Sequence, residues 1–201
     1  MRRRLLIVIL AGFVVGALGG AAALIVTSAQ GPKVETTGTA LIGGPFTLVD
    51  QNGKTVTDRD FRGKYMLIFF GFTNCPDICP AELQVMSAAL DALGSKADEV
   101  VPVFVTLDPE RDTSDVVGTY VKNFGKNFVG LTGSPSAIAN AAKAYRVTYS
   151  KFEYNGKDVN YRYSIDHSAL VYLMDKDGQY LTNFTYGTPA SKMTETMRSY
   201  L

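Results

Sequence analysis

The feature that most constrains the fold is the run YMLIFFGF, from Tyr65 to Phe72, in which nearly every residue is apolar. A strand with this pattern is covered on both faces, so it lies inside a sheet rather than at its edge. We therefore predict a central strand here. The surrounding segment of about 160 residues is the size of one ordinary domain and can bury a core.

The segments around this run alternate between strands and helices. PFTLVDQNGKTVT turns at Asn52-Gly53 and predicts a hairpin. A helix follows the central strand and is predicted to end at Gly94. The pattern continues as strand VVPVFVTLD, helix TSDVVGTYVKNF, short strand NFVGLTG and helix SPSAIANAAKAY. Thr113 and Ser134 are the predicted N-caps of the last two helices.

The last part of the chain is rich in predicted strands. TYSKFEY and VNYRYS flank Asn155-Gly156, and ALVYLMD and QYLTNFTY flank Asp177-Gly178. A terminal helix is predicted from Pro189 to Tyr200. Strands that alternate with helices and then form hairpins predict an α/β sandwich with a mixed central sheet flanked by helices. Ligands in such folds bind at the carboxyl ends of the strands.

The N-terminus predicts a membrane anchor. Three arginines at 2–4 precede an uncharged apolar run from Leu5 to Val26, which as a helix would extend about 33 Å and cross a bilayer. The basic end (1–4) is expected to stay in the cytoplasm, so residues after Val26 face outward. We expect a single-pass protein of the bacterial inner membrane rather than a cleaved signal peptide. Residues 27–42 form a tether, and 43–201 form the periplasmic domain.

The charge of the outer part limits its partners. Of the 20 Lys and Arg residues three precede the anchor, which leaves 17 basic against 19 acidic residues beyond it. A nearly neutral domain argues against nucleic acid or an anionic lipid surface as its main partner.

The only two cysteines, Cys75 and Cys79, follow the central strand in FFGFTNCPDICPAEL. Pro80 suits the first position of a helix, which places Cys79 at the helix entrance and Cys75 in the preceding loop. The positive end of that helix favours thiolate over thiol. The pair can be a structural disulfide, a redox couple, a nucleophile with its resolving thiol, or a metal clamp. A disulfide suits the compartment, but so small a loop gains little stability from it.

His167, in YSIDHSALVYLMD, is the only histidine in the chain. Alone, such a histidine is more often a structural residue than a ligand. Together with two thiolates it makes a soft set of three ligands, which suits copper as Cu(I) or Cu(II). Zinc would require a fourth ligand or water, and no further Cys or His is present to close a structural site.

Three stretches resemble those of the Sco/SenC family of membrane-anchored copper proteins in cytochrome c oxidase assembly. They are GFTNCPDICP, VTLDPERDT and DHSALVYLMDKDG, in that order within 43–201. The resemblance implies a thioredoxin-like fold and one copper ion bound by Cys75, Cys79 and His167. It also implies that the loop before a late strand brings His167 over the cysteines.

Two aspartates are candidates for a supporting role at the site or for contact with a partner. Asp108 ends the predicted strand VVPVFVTLD, and the family's matching aspartate is linked to the function of the copper site. As an alternative, Asp108 is a turn residue before Pro109. Asp166 precedes His167 and is predicted either to orient its ring or to form a turn. Arg111 and Asp112 are expected to cap and stabilise the next helix.

The leading functional hypothesis is a copper metallochaperone that supplies the binuclear copper site of cytochrome c oxidase subunit II. It requires a periplasmic thiol reductant, because only reduced Cys75 and Cys79 bind metal, and a second copper chaperone is a further candidate partner. The main alternative is a thiol–disulfide oxidoreductase that reduces the acceptor's cysteines, although redox pairs usually have two intervening residues. A peroxidase-like enzyme and a copper or redox sensor stay open as lesser alternatives, and enzymatic activity in the main role is not expected.

Overall fold

A computed structural model of the chain describes residues 41–153 and 163–201. The predicted basic end, the membrane anchor at 5–26, nearly all of the tether and the turn at Asn155-Gly156 lie outside these ranges. Within them, no helix is long and apolar enough to cross a membrane.

The described strands form two sheets. Their bounds are Thr47–Asp50 (β1), Thr55–Thr57 (β2), Tyr65–Gly71 (β3), Val100–Thr106 (β4), Val129–Thr132 (β5), Tyr149–Glu153 (β6), Tyr163–His167 (β7), Leu170–Met174 (β8) and Tyr180–Thr185 (β9). Seven strands form the main sheet in the order β2-β1-β5-β4-β3-β8-β9, and β6 pairs with β7 in a separate sheet. In the main sheet β3, β4 and β5 run parallel, whereas the other neighbours are antiparallel. The predicted mixed sheet is confirmed.

Strand β3 is central, as its sequence predicts. It lies between β4, which is parallel to it, and β8, which is antiparallel. Leu67, Ile68 and Phe69 are fully buried, although successive side chains of a strand point to opposite faces. Both faces of β3 are therefore covered, which explains why its sequence shows no alternation of polar and apolar residues.

Within the described ranges four α-helices accompany the sheet: Ile78–Leu93 (α1), Ser114–Val121 (α2), Pro135–Ala144 (α3) and Ala190–Arg198 (α4). Helices α1 and α4 pack against each other, and α2 packs on β5. Thr113 and Ser134 cap α2 and α3 as predicted, with their hydroxyls accepting from backbone amides of the first turn. Gly94 ends α1 with a positive φ of 64°.

One helix start differs from the prediction. Helix α1 begins at Ile78, not at Pro80, so Cys79 lies inside the first turn rather than at the entrance. Proline is tolerated in this turn because the first amides of a helix have no carbonyl partner within it. A residue before proline usually adopts extended geometry, but Cys79, which precedes Pro80, is helical here.

The sheet brings three loops to one edge. Strands β3 and β4 end level with each other, since Gly71 pairs with Thr106 and the Leu107 amide donates to the Gly71 carbonyl (2.7 Å). Strand β8 runs opposite to β3 and pairs Val171 with Phe69, so β8 begins at the edge where β3 ends. The segments that follow β3 and β4 and the one that precedes β8 therefore meet.

Removing side-chain volume from β3 tests how strongly the stability of the domain depends on its central strand. Leu67→Ala leaves a cavity between covered faces and is expected to lower the free energy of unfolding by about 2–5 kcal/mol. Leu41→Ala is the control, because Leu41 is 77% exposed and its truncation should cost less than about 0.5 kcal/mol. Chemical denaturation monitored by circular dichroism measures both, and equal effects would contradict the central placement of β3.

Candidate metal centre

The two cysteines lie at the carboxyl end of β3, on the loop and helix that follow it. Cys75 is half-buried in the loop, and Cys79 is fully buried in the first turn of α1. Both are free thiols in this structure. The Cys79 amide donates to the Cys75 sulfur over 3.4 Å, so an unpaired amide of the helix start points at that sulfur.

The two sulfurs differ strongly in acidity. The hydrogen bond from the Cys79 side chain lowers the pKa of Cys75 to about 4; burial opposes the shift, and His167 and the Cys79 amide add to it. The same hydrogen bond raises the pKa of Cys79, and burial raises it further. At neutral pH the pair therefore consists of a Cys75 thiolate and a Cys79 thiol that donates to it.

His167 reaches the cysteines from the other side of the sheet edge. It is the last residue of β7, and its Nε2 lies 3.6 Å from the Cys79 Sγ. Its Nδ1 lies 3.1 Å from the Ser168 carbonyl oxygen. A carbonyl only accepts, so Nδ1 donates to it, and in the neutral imidazole Nε2 is then the nitrogen available to a metal ion. Phe69 and Phe72 contact the imidazole edge-on, each with its centroid 6.0 Å from that of the ring.

Ser168 fixes the backbone that orients this ring, a role that the sequence reasoning missed. Its amide donates to the Thr148 carbonyl (3.0 Å), and its hydroxyl contacts the Thr148 hydroxyl (2.8 Å). These contacts close the open end of the β6–β7 pair. The serine directly after the histidine was the only signal in the sequence.

Asp112 is a second supporting residue that the sequence reasoning misplaced. It is not a helix cap but a fully buried carboxylate that accepts from the Thr73 amide (2.9 Å) and from the hydroxyls of Thr73 and Thr106. Burial raises its pKa, and the hydrogen bonds from Thr106 and Thr73 oppose that shift. Asp112 thus joins the loop of Cys75 to the end of β4.

Asp108 begins a turn, as its alternative prediction has it, and its carbonyl accepts from the Arg111 amide (3.1 Å). It is two residues beyond β4 and only 3% exposed, so it is not available for contact with a partner. Its carboxylate accepts from the Tyr163 hydroxyl (2.7 Å) and pairs with Arg111, rather than with the cysteines. Arg111 is therefore also bound to this network and not to the following helix.

Asp166 does not orient the imidazole. Residues 166 and 167 are neighbours in β7, so their side chains point to opposite faces, and Asp166 is exposed. Among the described residues, the partner of His167 Nδ1 is the Ser168 carbonyl instead. Asp166 is also a strand residue rather than a turn residue. Contact with a partner is the only predicted role that its exposure permits.

Gly71 provides the space for the buried sulfur. A Cβ at this position would lie 2.8 Å from the Cys79 Sγ and 3.0 Å from Phe69. The last residue of β3 must therefore lack a side chain for Cys79 to sit against the strand. Nothing in the sequence distinguishes this glycine from one in an ordinary turn.

The three predicted ligands converge without forming a finished site. In residues 41–153 and 163–201 no group of three His, Cys, Asp or Glu side chains is arranged as a complete metal site. The separation of 3.6 Å between Cys79 Sγ and His167 Nε2 nevertheless fits a shared ion. Ligand distances like those of zinc, about 2.3 Å to sulfur and about 2.0 Å to nitrogen, place the two atoms about 3.5–3.7 Å apart at tetrahedral to trigonal angles. The donor set and this spacing fit a soft metal ion.

The difference in pKa between the two thiols predicts how the rate of Cys75 alkylation varies with pH. In the wild type, alkylation of Cys75 by iodoacetamide should vary little between about pH 6 and about pH 8, because its thiolate is already formed. Cys79→Ala removes the donor that lowers the Cys75 pKa. The pH at which the rate of Cys75 alkylation rises should therefore move up towards the ordinary thiol pKa of about 8.5. Cys75→Ala is the control for residual labelling of Cys79. A wild-type rate that rises about tenfold per pH unit would contradict the assignment.

Comparison with known proteins gives the family. The sequence model of SCO1/SenC matches residues 34–201. The mitochondrial protein SCO1 homolog 1 of Arabidopsis thaliana is 42% identical over 167 residues, which are 83% of this chain and 48% of that protein. This chain thus spans about half the length of that relative.

Solved structures show the same fold. The structure of Bradyrhizobium japonicum ScoI with copper bound is 43% identical, covers 80% of this chain and 99% of that chain, and has a TM-score of 0.72. BsSco, a Sco-family cytochrome c oxidase assembly protein with a disulfide switch, is 27% identical. The match covers 79% of this chain and 92% of that chain, with a TM-score of 0.61. The predicted thioredoxin-like α/β fold is confirmed, and the chain belongs to the SCO1/SenC family.

Proposed function

We propose that this protein is a copper metallochaperone that binds one copper ion through Cys75, Cys79 and His167. The observation that carries the proposal is the 3.6 Å approach of His167 Nε2 to the Cys79 sulfur, beside a Cys75 whose pKa is lowered to about 4 by the hydrogen bond from Cys79. Thiolate and imidazole are both ligands that suit copper, with thiolates favouring Cu(I) and imidazole accommodating Cu(II). The copper-bound relative of the same fold supports this choice.

The protonation states describe how the site takes up its cargo. Cys75 binds without losing a proton, and His167 offers the lone pair of Nε2 while Nδ1 stays bound to the Ser168 carbonyl. Cys79 must release its proton as the ion enters, so each copper bound frees about one proton at neutral pH. The positive charge of the ion replaces the hydrogen bond that the Cys79 thiol gives to Cys75.

Burial of the ligands suggests an order for release. Cys75 is half-buried and Cys79 is fully buried, so an incoming thiolate reaches the copper beside Cys75 first. His167 also borders an open groove of about 350 Å³ on the β6–β7 pair, although neither cysteine lines it. Copper would then pass by ligand exchange, with acceptor thiolates replacing Cys75 and afterwards Cys79.

The acceptor we propose is the binuclear copper site of cytochrome c oxidase subunit II. The relationship to BsSco, a cytochrome c oxidase assembly protein, supports this acceptor. We further propose that residues 5–26 anchor the chain in the bacterial inner membrane and that 43–201 act in the periplasm, within reach of a membrane-bound acceptor. A periplasmic reductant keeps both thiols competent, and a second copper chaperone can load the site.

Copper titration of the reduced, detergent-solubilised full chain tests the ligand set. We expect one copper per chain in the wild type, loss of tight binding in Cys75→Ser and Cys79→Ser, and at least about tenfold weaker binding in His167→Ala, or about 1.4 kcal/mol. Glu195→Gln, whose side chain is 72% exposed on α4, is the control and should bind like the wild type. Copper binding that is indifferent to His167 would contradict the proposal.

A second candidate function is thiol–disulfide exchange with the acceptor's cysteines. It is favoured by the pairing of an acidic, half-buried Cys75 with a buried Cys79 thiol, the arrangement of an attacking and a resolving thiol. The disulfide switch of BsSco points in the same direction.

Incubation with oxidised, copper-free subunit II separates the two functions. If the protein acts mainly as a reductase, Cys75→Ser abolishes reduction of the acceptor, whereas His167→Ala leaves its rate unchanged. If it is a chaperone, His167→Ala impairs transfer of copper to reduced subunit II, measured by the visible absorption of the binuclear site. We expect the second result.

A further inference from the structure

The strand that carries His167 is not part of the main sheet. Among the described residues β6 and β7 pair with each other and not with the main sheet, so no ladder of backbone hydrogen bonds joins them to the cysteine loop. The chain links His167 to the main sheet at β8, which begins three residues further on. At the other end of β7, side-chain contacts hold the pair to the rest of the domain. A set of these contacts lies at the beginning of β7, around Tyr163.

Tyr163, at the beginning of β7, is bound to the segment that follows β4. Its hydroxyl donates to Asp108 Oδ1 over 2.7 Å, and its carbonyl accepts from Arg111 Nη1 over 3.2 Å. Arg111 Nε also donates to the other carboxylate oxygen of Asp108. We refer to Asp108, Arg111 and Tyr163 as the clasp.

Burial and charge make the clasp a firm attachment. Asp108 is 3% exposed, and a buried carboxylate is costly unless it is paired and hydrogen-bonded, as it is here. The Arg111 guanidinium carbon lies 3.8 Å from the centroid of the Tyr163 ring, which adds a cation–π contact. By contrast, the neighbouring Lys151–Glu110 pair is exposed and contributes little.

The pleat of β7 connects the clasp to the imidazole. Side chains at 163, 165 and 167 lie on the same face of the strand, and Ile165 between them is 7% exposed. With a rise of about 3.3 Å per residue, fixing Tyr163 sets both the position of His167 along the strand and the face from which it projects.

The same short segment also holds the cysteine side of the site. The Asp112 amide donates to the Asp108 carbonyl (2.9 Å), and the Asp112 carboxylate holds Thr73, two residues before Cys75. One braced turn thus binds the loop of the thiols through Asp112 and the strand of the imidazole through Asp108. The separation between the two halves of the site depends on that turn.

We propose that the clasp is a positioning device that holds His167 at the cysteines before copper arrives. The inference rests on the proposed function of the site, but the clasp itself belongs to the metal-free protein. Neither Asp108 nor Tyr163 touches the ion: both act through His167. Loss of the Tyr163 hydroxyl therefore weakens only the part of copper binding that His167 supplies.

Tyr163→Phe is the sharpest test, because it removes one hydroxyl and keeps the ring that Arg111 and Lys151 contact. Copper affinity is measured on the full chain for the wild type, Tyr163→Phe, His167→Ala and the double variant. We expect Tyr163→Phe to weaken binding measurably but by less than His167→Ala does, because the hydroxyl acts on copper through His167 alone. In the His167→Ala background it should have no further effect.

Tyr186→Phe is the matched control, since Tyr186 is 51% exposed and lies outside the clasp; it should bind copper like the wild type. A normal affinity in Tyr163→Phe would overturn the proposal. An equal loss with and without His167 would overturn it as well, because the hydroxyl would then act on something other than the imidazole.

Amide hydrogen exchange in the metal-free protein provides a readout that does not depend on copper. Tyr163→Phe should speed exchange in β7 but leave α1 unchanged, whereas unchanged exchange in β7 would overturn the clasp. If the wild type binds no copper, the proposed function fails, and exchange in β7 still decides whether the clasp holds the strand.

Discussion

The contact between the Cys79 sulfur and the His167 imidazole joins residues that are 88 positions apart in the chain. It exists because β3 and β8 are antiparallel neighbours, so that the end of one strand lies beside the beginning of the other. The absence of a side chain at Gly71 lets the sulfur sit against β3, and the Ser168 carbonyl turns the imidazole so that Nε2 faces it. Sheet order, one glycine and one carbonyl thus produce the site.

Two buried aspartates divide the support of this contact between them. Asp112 binds the loop of the thiols, and Asp108 binds the strand of the imidazole through Tyr163. Both come from the segment after β4, which ends level with β3. Their burial raises the cost of losing any partner, since an unpaired buried carboxylate is strongly unfavourable. The proposed ligands are therefore held by groups outside the proposed ligand set.

The central strand, the first turn and the helix caps were predicted from the sequence because the signals for them are local. The unbroken apolar run of β3, the turn at Asn52-Gly53 and the caps Thr113 and Ser134 each depend on neighbouring residues. The supporting groups of the site were not predictable in this way. Asp108 resembles a turn residue and Asp112 a helix cap until the fold brings Tyr163 and Thr73 to them. The placement of His167 near the cysteines was expected only from the family resemblance, because it depends on strand order.

We propose that copper binds to two sulfurs and one imidazole nitrogen of this chain. X-ray absorption at the copper edge, on the reduced full chain loaded with one equivalent of Cu(I), identifies these ligands. We expect two sulfur ligands and one nitrogen ligand, with the nitrogen lost in His167→Ala and both sulfurs retained. A spectrum with sulfur ligands alone, unchanged by His167→Ala, would contradict it and leave the cysteines as a redox pair.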